Sequence, residues 1–428
     1  MLMLDKLHIL ADSAKYDASC ASSGSSRNVR GKLGKASVGG VCHSWSSDGR
    51  CVSLLKILMT NACIYDCAYC LNRRSNDIPR AMLSPDEICE LTVEFYRKNY
   101  IEGLFLSTGI VKNADYTMEL LIQTARKLRK EHNFSGYLHI KLIPGASEEL
   151  IDILGRYADR VSVNIELPSQ QSLSILAPDK KLDAILTPMK QVKESIDTYK
   201  AEKKTLRRAP LFSPAGQSTQ LIVGATPESD MQILVLSSWL YKKVAMKRVY
   251  YSAYIPVNND KNLPALPTPP LLREHRLYQA DWLLRFYDFE PDELLSPANP
   301  NLATEVDPKT AWALAHLDRF PVEVNVADYN TLLRVPGIGV QSARRIIRSR
   351  KVKRLRYEDL NKFRVVLKRA RYFITVHGRY HGDMACDEQL LFKRLATGFG
   401  SNGNSSLIQL DLFDSLFSDR HSVITGEL

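Results

Sequence analysis

Cys63, Cys67 and Cys70 stand at the spacing C-x3-C-x2-C, directly after the apolar run Leu54–Met59. Three thiolates at this spacing suit an iron–sulfur cube in which each binds one iron. The fourth iron is then open to a small chelating molecule. A ferredoxin-type run would close the site with a fourth cysteine. A structural zinc site would pair two C-x2-C groups. The stretch has neither.

Such a site needs a scaffold. From residue 54 short apolar runs alternate with longer helical patterns. The strand candidates are Leu54–Met59, Gly103–Ser107, Tyr137–Ile143, Arg160–Leu167, Thr219–Gly224 and Arg248–Ile255. Between them lie helical stretches Pro85–Lys98, Tyr116–Glu131, Glu148–Tyr157, Asp183–Lys203 and Ser229–Val244. The first begins Ser84-Pro85-Asp86-Glu87, a capping box with proline at the first helical position. Strands alternating with helices predict βαβ units and a parallel sheet. Parallel sheets carry their chemistry at the carboxyl ends of the strands, and the three cysteines follow the first of them.

With these residues in view, positions 54–256 resemble the radical S-adenosylmethionine (radical SAM) enzymes, with Tyr69 as the aromatic residue of their C-x3-C-x-aromatic-C signature. The resemblance implies an α/β fold, a partial (β/α)6 barrel. It also implies a [4Fe–4S] cluster on Cys63, Cys67 and Cys70, S-adenosylmethionine on the open iron, and a low-potential electron donor such as flavodoxin or ferredoxin. Ser107-Thr108-Gly109 takes the place of the family's Gly-rich turn at the methionine amino group. Asn164 and Glu166, on one face of the fourth strand, suit ribose or methionine contacts, or else pair with neighbouring strands. Gly224 admits close backbone approach to adenine. Lys141 is a candidate for neutralising the cofactor's carboxylate.

The whole chain bounds the setting. Its 428 residues exceed one ordinary core, and its 45% apolar and 25% charged residues are those of a soluble globular protein. No apolar stretch is long enough to span a membrane, and the N-terminus reads as an amphipathic helix, not a signal peptide. A cytoplasmic location is therefore expected. Of the eight cysteines, all but Cys386 lie in the first ninety residues, and this clustering points to metal chemistry, not a disulfide scaffold. Cys20, Cys42 and Cys51 lie in a polar segment, 1–52, that reads as loop after its first helix. They are candidate ligands of a second metal centre or simply free thiols, and the spacing leaves both open.

The net charge of +11 favours a polyanionic partner. The domains expected are the N-terminal segment 1–52, a barrel over 53–290, an all-α domain over 303–382 and a flexible tail over 383–428. The proline-rich passage 256–272 ends the strand–helix pattern and reads as a linker, and the helix Arg273–Phe289 is expected to pack back on the barrel. In the third domain, Val335-Pro336-Gly337-Ile338-Gly339 resembles a helix-hairpin-helix DNA-binding element. What that implies is backbone amides of Gly337, Ile338 and Gly339 facing a phosphate, backed by Arg344, Arg345 and Lys351. Asp359 falls near the spacing of a glycosylase aspartate, yet its context reads as an ordinary helix start. In the tail, Gln409–Phe413 (QLDLF) resembles the peptide by which bacterial DNA enzymes dock on the sliding clamp. Together the segments resemble DNA modification/repair radical SAM proteins. Two other functions are consistent with the residues: a non-catalytic iron–sulfur DNA-binding or redox-sensing protein, and a radical enzyme acting on RNA.

Overall fold

The computed structural model describes residues 3–14, 41–45, 51–206, 209, 211–383 and 387–397, and of 4, 41–45, 51, 52 and 397 the backbone course alone. Two compact units divide the chain. The first is Met1–Glu228 with Trp239–Pro270, and the second is Ser229–Ser238 with Leu271 onward.

The first unit is built on a seven-stranded sheet whose spatial order follows the chain: β1 (Val41–Trp45), β2 (Cys51–Leu58), β3 (Gly103–Ser107), β4 (Tyr137–Lys141), β5 (Arg160–Ser162), β6 (Gln217–Val223) and β7 (Arg248–Ala253). From β2 to β7 all pairs are parallel. Six parallel strands in sequence order, each crossing over through helix, make the expected half-barrel. Apolar runs buried on both faces are what this layout requires. Leu54, Leu55 and Ile57 of β2 and Leu104, Phe105 and Leu106 of β3 are almost wholly buried.

The helices of this unit are α1 (Met3–Ala14), α2 (Pro85–Arg97), α3 (Ala114–Lys130), α4 (Glu148–Tyr157), α5 (Gln170–Leu176), α6 (Leu182–Thr205) and the shared α7 (Asp230–Val244). The capping box forms as expected: Ser84 accepts from Glu87 N, and Glu87 accepts from Ser84 N at 2.8 Å. Glu87 also pairs with Lys6 of α1 at 2.7 Å, which fastens the N-terminal helix to α2.

Two expectations need correction here. Val41–Trp45 is not loop but an edge strand, antiparallel to β2, with Cys42 opposite Leu54 and Cys51 opposite Trp45. Its run VCHSW is short and broken by His43 and Ser44, and it is a strand through that pairing. The fourth parallel strand stops at Ser162 instead of Leu167: beyond it Ile165 N donates to the Thr219 hydroxyl at 2.9 Å, not to a backbone carbonyl, and the pairing returns only as a single bridge at Glu166, opposite Leu221.

The second unit contains α8 (Leu271–Phe286), α9 (Pro291–Leu294), α10 (Pro308–Ala315), α11 (Tyr329–Arg334), α12 (Val340–Arg350), α13 (Asp359–Lys362), α14 (Leu367–Ala370) and α15 (Glu388–Thr397). It is not all-α. Strands β8 (Val322–Glu323), β9 (Ile374–Val376) and β10 (Arg379–Tyr380) form a small sheet in the order β10-β9-β8. Glu323 pins it, accepting from Thr375 Oγ1 at 3.0 Å and Gly378 N at 2.8 Å. The helix expected to pack on the barrel, α8, belongs to this unit: Leu283 and the following Tyr287 and Phe289 share a core with Trp312, Leu332, Ile338 and Phe373. Among the described residues no helix is long and apolar enough to cross a membrane.

Candidate active site

The cysteine loop is held from four directions. Its base continues the sheet, with Met59 N donating to Ser107 O at 2.8 Å. Next, the end of β3 grips it: Gly109 N donates to Thr60 O at 2.7 Å, Ile64 N to Ile110 O at 2.9 Å, and Ile110 N to Cys63 Sγ at 3.4 Å. A Cβ on Gly109 would lie 2.4 Å from Ala62 O, so only glycine lets the two backbones meet. Third, the Arg80 guanidinium fills the loop's centre and donates to the carbonyls of Asn61 (2.6 Å), Asn72 (2.9 Å), Arg73 (2.6 Å) and Asn76 (2.8 Å). Fourth, Asn258 donates to Ala68 O at 2.7 Å and Cys70 O at 2.8 Å while accepting from Asn76. The proline-rich passage after β7, which reads as a linker, is thus a wall of the site.

The loop opens on a cavity of about 220 Å3 at the carboxyl ends of the parallel strands. Cys63, Cys67, Cys70, Tyr69, Ser107, Thr108, Gly109, Asn164 and Glu166 all line it, as does Lys141. Gly224 does not. Its backbone is left-handed, φ 88°, and its α-carbon faces the Pro270 ring.

One lining residue escapes the sequence reading. Lys180 donates to Glu166 at 2.6 Å in the cavity wall. Burial works against the Lys180 ammonium, but Glu166 and Tyr69 beside it hold its pKa well above the usual lysine value. Nothing at position 180 signals this, since Lys180 stands just before the expected helix Asp183–Lys203. Glu166 makes the pairing from a left-handed backbone position, φ 68°.

Burial raises the pKa of the Cys67 thiol and pushes that of Cys70 up to about 12. Iron binding at these sulfurs must therefore release protons. The phenol oxygen of Tyr69 meets no partner in hydrogen-bonding geometry, though it lies near enough to Cys67 to oppose that rise. Asn72 Oδ1 and Asn164 Oδ1 are likewise buried and unpartnered. Buried polar atoms are rarely left so, and all three belong to residues lining the cavity.

Among the described residues, no three His, Cys, Asp or Glu side chains converge as ligands of a single metal ion. A cube makes a different demand: each thiolate takes its own iron, so three sulfurs must line one cavity without meeting at one point. Three cysteines, a lysine–glutamate pair and unsatisfied polar atoms fit a cluster with a zwitterionic cofactor. Of the second metal centre, Cys20 lies outside the described residues, as do the side chains of Cys42 and Cys51.

In the second unit, α11 and α12 are joined by the tight turn Val335–Gly339. Gly337 is left-handed, φ 84°, and a Cβ there would lie 2.6 Å from Val366 O. Gly337, Ile338 and Gly339 are buried, whereas Arg344 and Lys351 are exposed and Arg345 half-exposed. Asp359 accepts from Arg356 N at 3.0 Å, so it closes a local turn, as its context suggests. Gln409–Phe413 lies outside the described residues.

The turn rests on a buried cation. Lys309 is 1% exposed, and its ammonium donates to Ile338 O at 2.6 Å and lies 4.7 Å from the Tyr287 ring centre. Burial pulls its pKa down to about 7, Asp307 opposes, and Arg334 and Arg369 add to the fall. An unfolded lysine keeps its proton to about pH 10.4. Between about pH 7 and that value the unfolded chain holds a proton that the folded chain has shed, so stability rises with pH in this window and the penalty is greatest below it. The expected gain is roughly 1 kcal/mol per pH unit. Urea unfolding of this unit at pH 7 and pH 9.5 measures it, and Lys309→Met is expected to flatten the rise.

Residues 57–232 match the Radical SAM superfamily. The chain therefore carries a radical SAM domain, the domain of radical SAM enzymes. No curated protein matches the chain. Similar solved structures include HydG, a maturase of the FeFe-hydrogenase, with 14% identity and a TM-score of 0.41 over 52% of this chain and 47% of that one. HydG from Carboxydothermus hydrogenoformans gives 14% and 0.40 over 53% and 50%. The cobalamin-dependent S-adenosylmethionine radical enzyme OxsB gives 12% and 0.31 over 86% and 55%. The chain thus spans about half the length of each. Likeness at this level says nothing of its substrate.

Proposed function

We propose that the protein is a radical SAM enzyme acting on DNA, modifying or repairing a nucleotide. When bound, the cluster and S-adenosylmethionine supply a 5′-deoxyadenosyl radical that removes a hydrogen atom from a substrate. The chain's own residues do the rest. Cys63, Cys67 and Cys70 would hold three irons. Lys180 and Lys141 place positive charge where a carboxylate can bind, and Glu166 offers an acceptor. Tyr69 and Asn164 offer buried polar atoms, and the apolar wall of Leu142, Ile143 and Val257 excludes water.

The observation that carries the DNA reading is in the second unit. Arg344, Arg348, Lys351, Lys353, Arg354 and Arg356 are all exposed, and none forms an ion pair with a described carboxylate. Asp359 lies near Lys353 and Arg356, but six exposed cations on one short stretch outnumber it and suit a phosphate backbone. The turn at Gly337–Gly339 adds the N-terminus of α12, whose first amides have no intrahelical partner. The test is mass spectrometry of nucleosides from DNA incubated with reduced, iron-loaded protein and S-adenosylmethionine. A changed nucleoside together with 5′-deoxyadenosine is expected. If only RNA yields a changed nucleoside under the same salt, the DNA assignment is wrong.

A further inference from the structure

Arg344, Ile347 and Arg348 of α12 and Lys351, its C-cap residue in helical conformation, sit at i, i+3, i+4 and i+7, so they form one stripe. With Tyr329, the first residue of α11, they line an open groove of about 480 Å3. The three cations are exposed, while Ile347 and Tyr329 are half-buried. The groove thus has an apolar floor and a cationic rim. The nearest acid in sequence, Asp328, is engaged elsewhere: it caps α11, accepting from Thr331 N at 2.9 Å and Thr331 Oγ1 at 2.8 Å. That cap also fixes the place of Tyr329 at the helix start.

We propose that this groove binds an unpaired stretch of a DNA strand, its phosphates on Arg344, Arg348 and Lys351 and a base or sugar face against Tyr329 and Ile347. The inference rests on the DNA reading above and goes further in naming the strand state. A duplex shows proteins a ridge of phosphates, with its base faces stacked inside. The cationic rim alone would serve that ridge. An aromatic ring and an isoleucine between the cations gain nothing from it, but they do cover the face of an exposed base. From Arg344 to Lys351 the stripe spans about 10 Å, which leaves room for only a short stretch of one strand. An unpaired stretch also suits an enzyme whose target atom must leave the base stack.

Fluorescence anisotropy with the full chain tests this, using a labelled single strand of about 12 nucleotides, the same sequence as duplex, and the same sequence as RNA. Tyr329→Ala is expected to weaken single-strand binding about tenfold or more, from the loss of one stacking contact. Duplex binding should change less than about twofold, and Tyr329→Phe should restore the single-strand affinity. Arg344→Gln with Arg348→Gln, both at exposed sites, should flatten the single-strand salt dependence by about 1.4 in log–log slope. Equal weakening on both DNA forms, or none on the single strand, overturns the groove while leaving DNA binding intact. Tighter binding of the RNA by the wild-type chain overturns both the groove's assignment and the DNA reading, and so does a wild-type chain that binds neither DNA.

Discussion

Replacing Cys67 by alanine is expected to strip the protein of most of its iron and to cut 5′-deoxyadenosine production more than about 100-fold. Loss of a mere outer supporting contact to a metal centre typically costs ~10–100-fold, and Cys67 is a direct ligand candidate. The residue is buried, 5% exposed, between Cys63 and Cys70 in sequence and on the same cavity. A methyl group there leaves two thiols for three irons. Cys89→Ala is the control. Cys89 is also fully buried, but it lies within α2 with its sulfur 3.6 Å from Thr124 O, away from the cavity lining. That variant should keep its iron. Iron and sulfide counts on anaerobic protein, with product analysis, decide the matter; a Cys67→Ala protein with a full complement of iron would defeat the ligand assignment.

Nearly as large an effect is expected from Arg80→Met, although Arg80 is no ligand candidate. Its guanidinium satisfies four loop carbonyls from Asn61 to Asn76, the span that contains all three cysteines. Methionine fills much of the volume and donates nothing. Each orphaned acceptor costs ~1–3 kcal/mol where water cannot replace the donor. The half-buried loop will recover part of this, leaving about 2–4 kcal/mol of local destabilisation. We expect poor iron loading and early proteolytic cleavage between residues 62 and 80. Arg80→Lys should behave similarly, since an ammonium lacks the planar fork that reaches carbonyls on several sides. Normal loading and normal protease resistance in both variants would show that the loop holds itself.

The central motif is readable because its information is local. Three cysteines within eight positions, an apolar run before them and a capping box after them are each set by near neighbours. The remaining strands follow from apolar runs bounded by helices. What escapes the eye is set by distant partners. Val41–Trp45 is short, is broken by His43 and Ser44, and is a strand through its pairing with β2. Lys180 meets Glu166 across the cavity wall, fourteen residues apart in the chain. Strands of two and three residues, β8 to β10, are too short for any period to show, and Glu323 organises them through contacts some fifty residues away. Helix α8 has the right period but its partner is ambiguous, since an apolar face does not say which core it joins. Asn258 lies among prolines in a passage that reads as linker, yet it holds Ala68 and Cys70.

That last contact sets an order of events during synthesis. Ala68 N is held by Leu176 O, and the carbonyls of Ala68 and Cys70 by Asn258. The nascent chain presents its three thiols long before it contains residue 258. Until then the loop lacks a wall, and the sulfurs are open to oxidation and to stray metal ions. Cluster insertion into a finished pocket can only follow release of nearly the whole first unit from the ribosome. Iron–sulfur delivery to this protein is therefore a late step, and a truncation before Asn258 should leave the motif intact in sequence but without its seat.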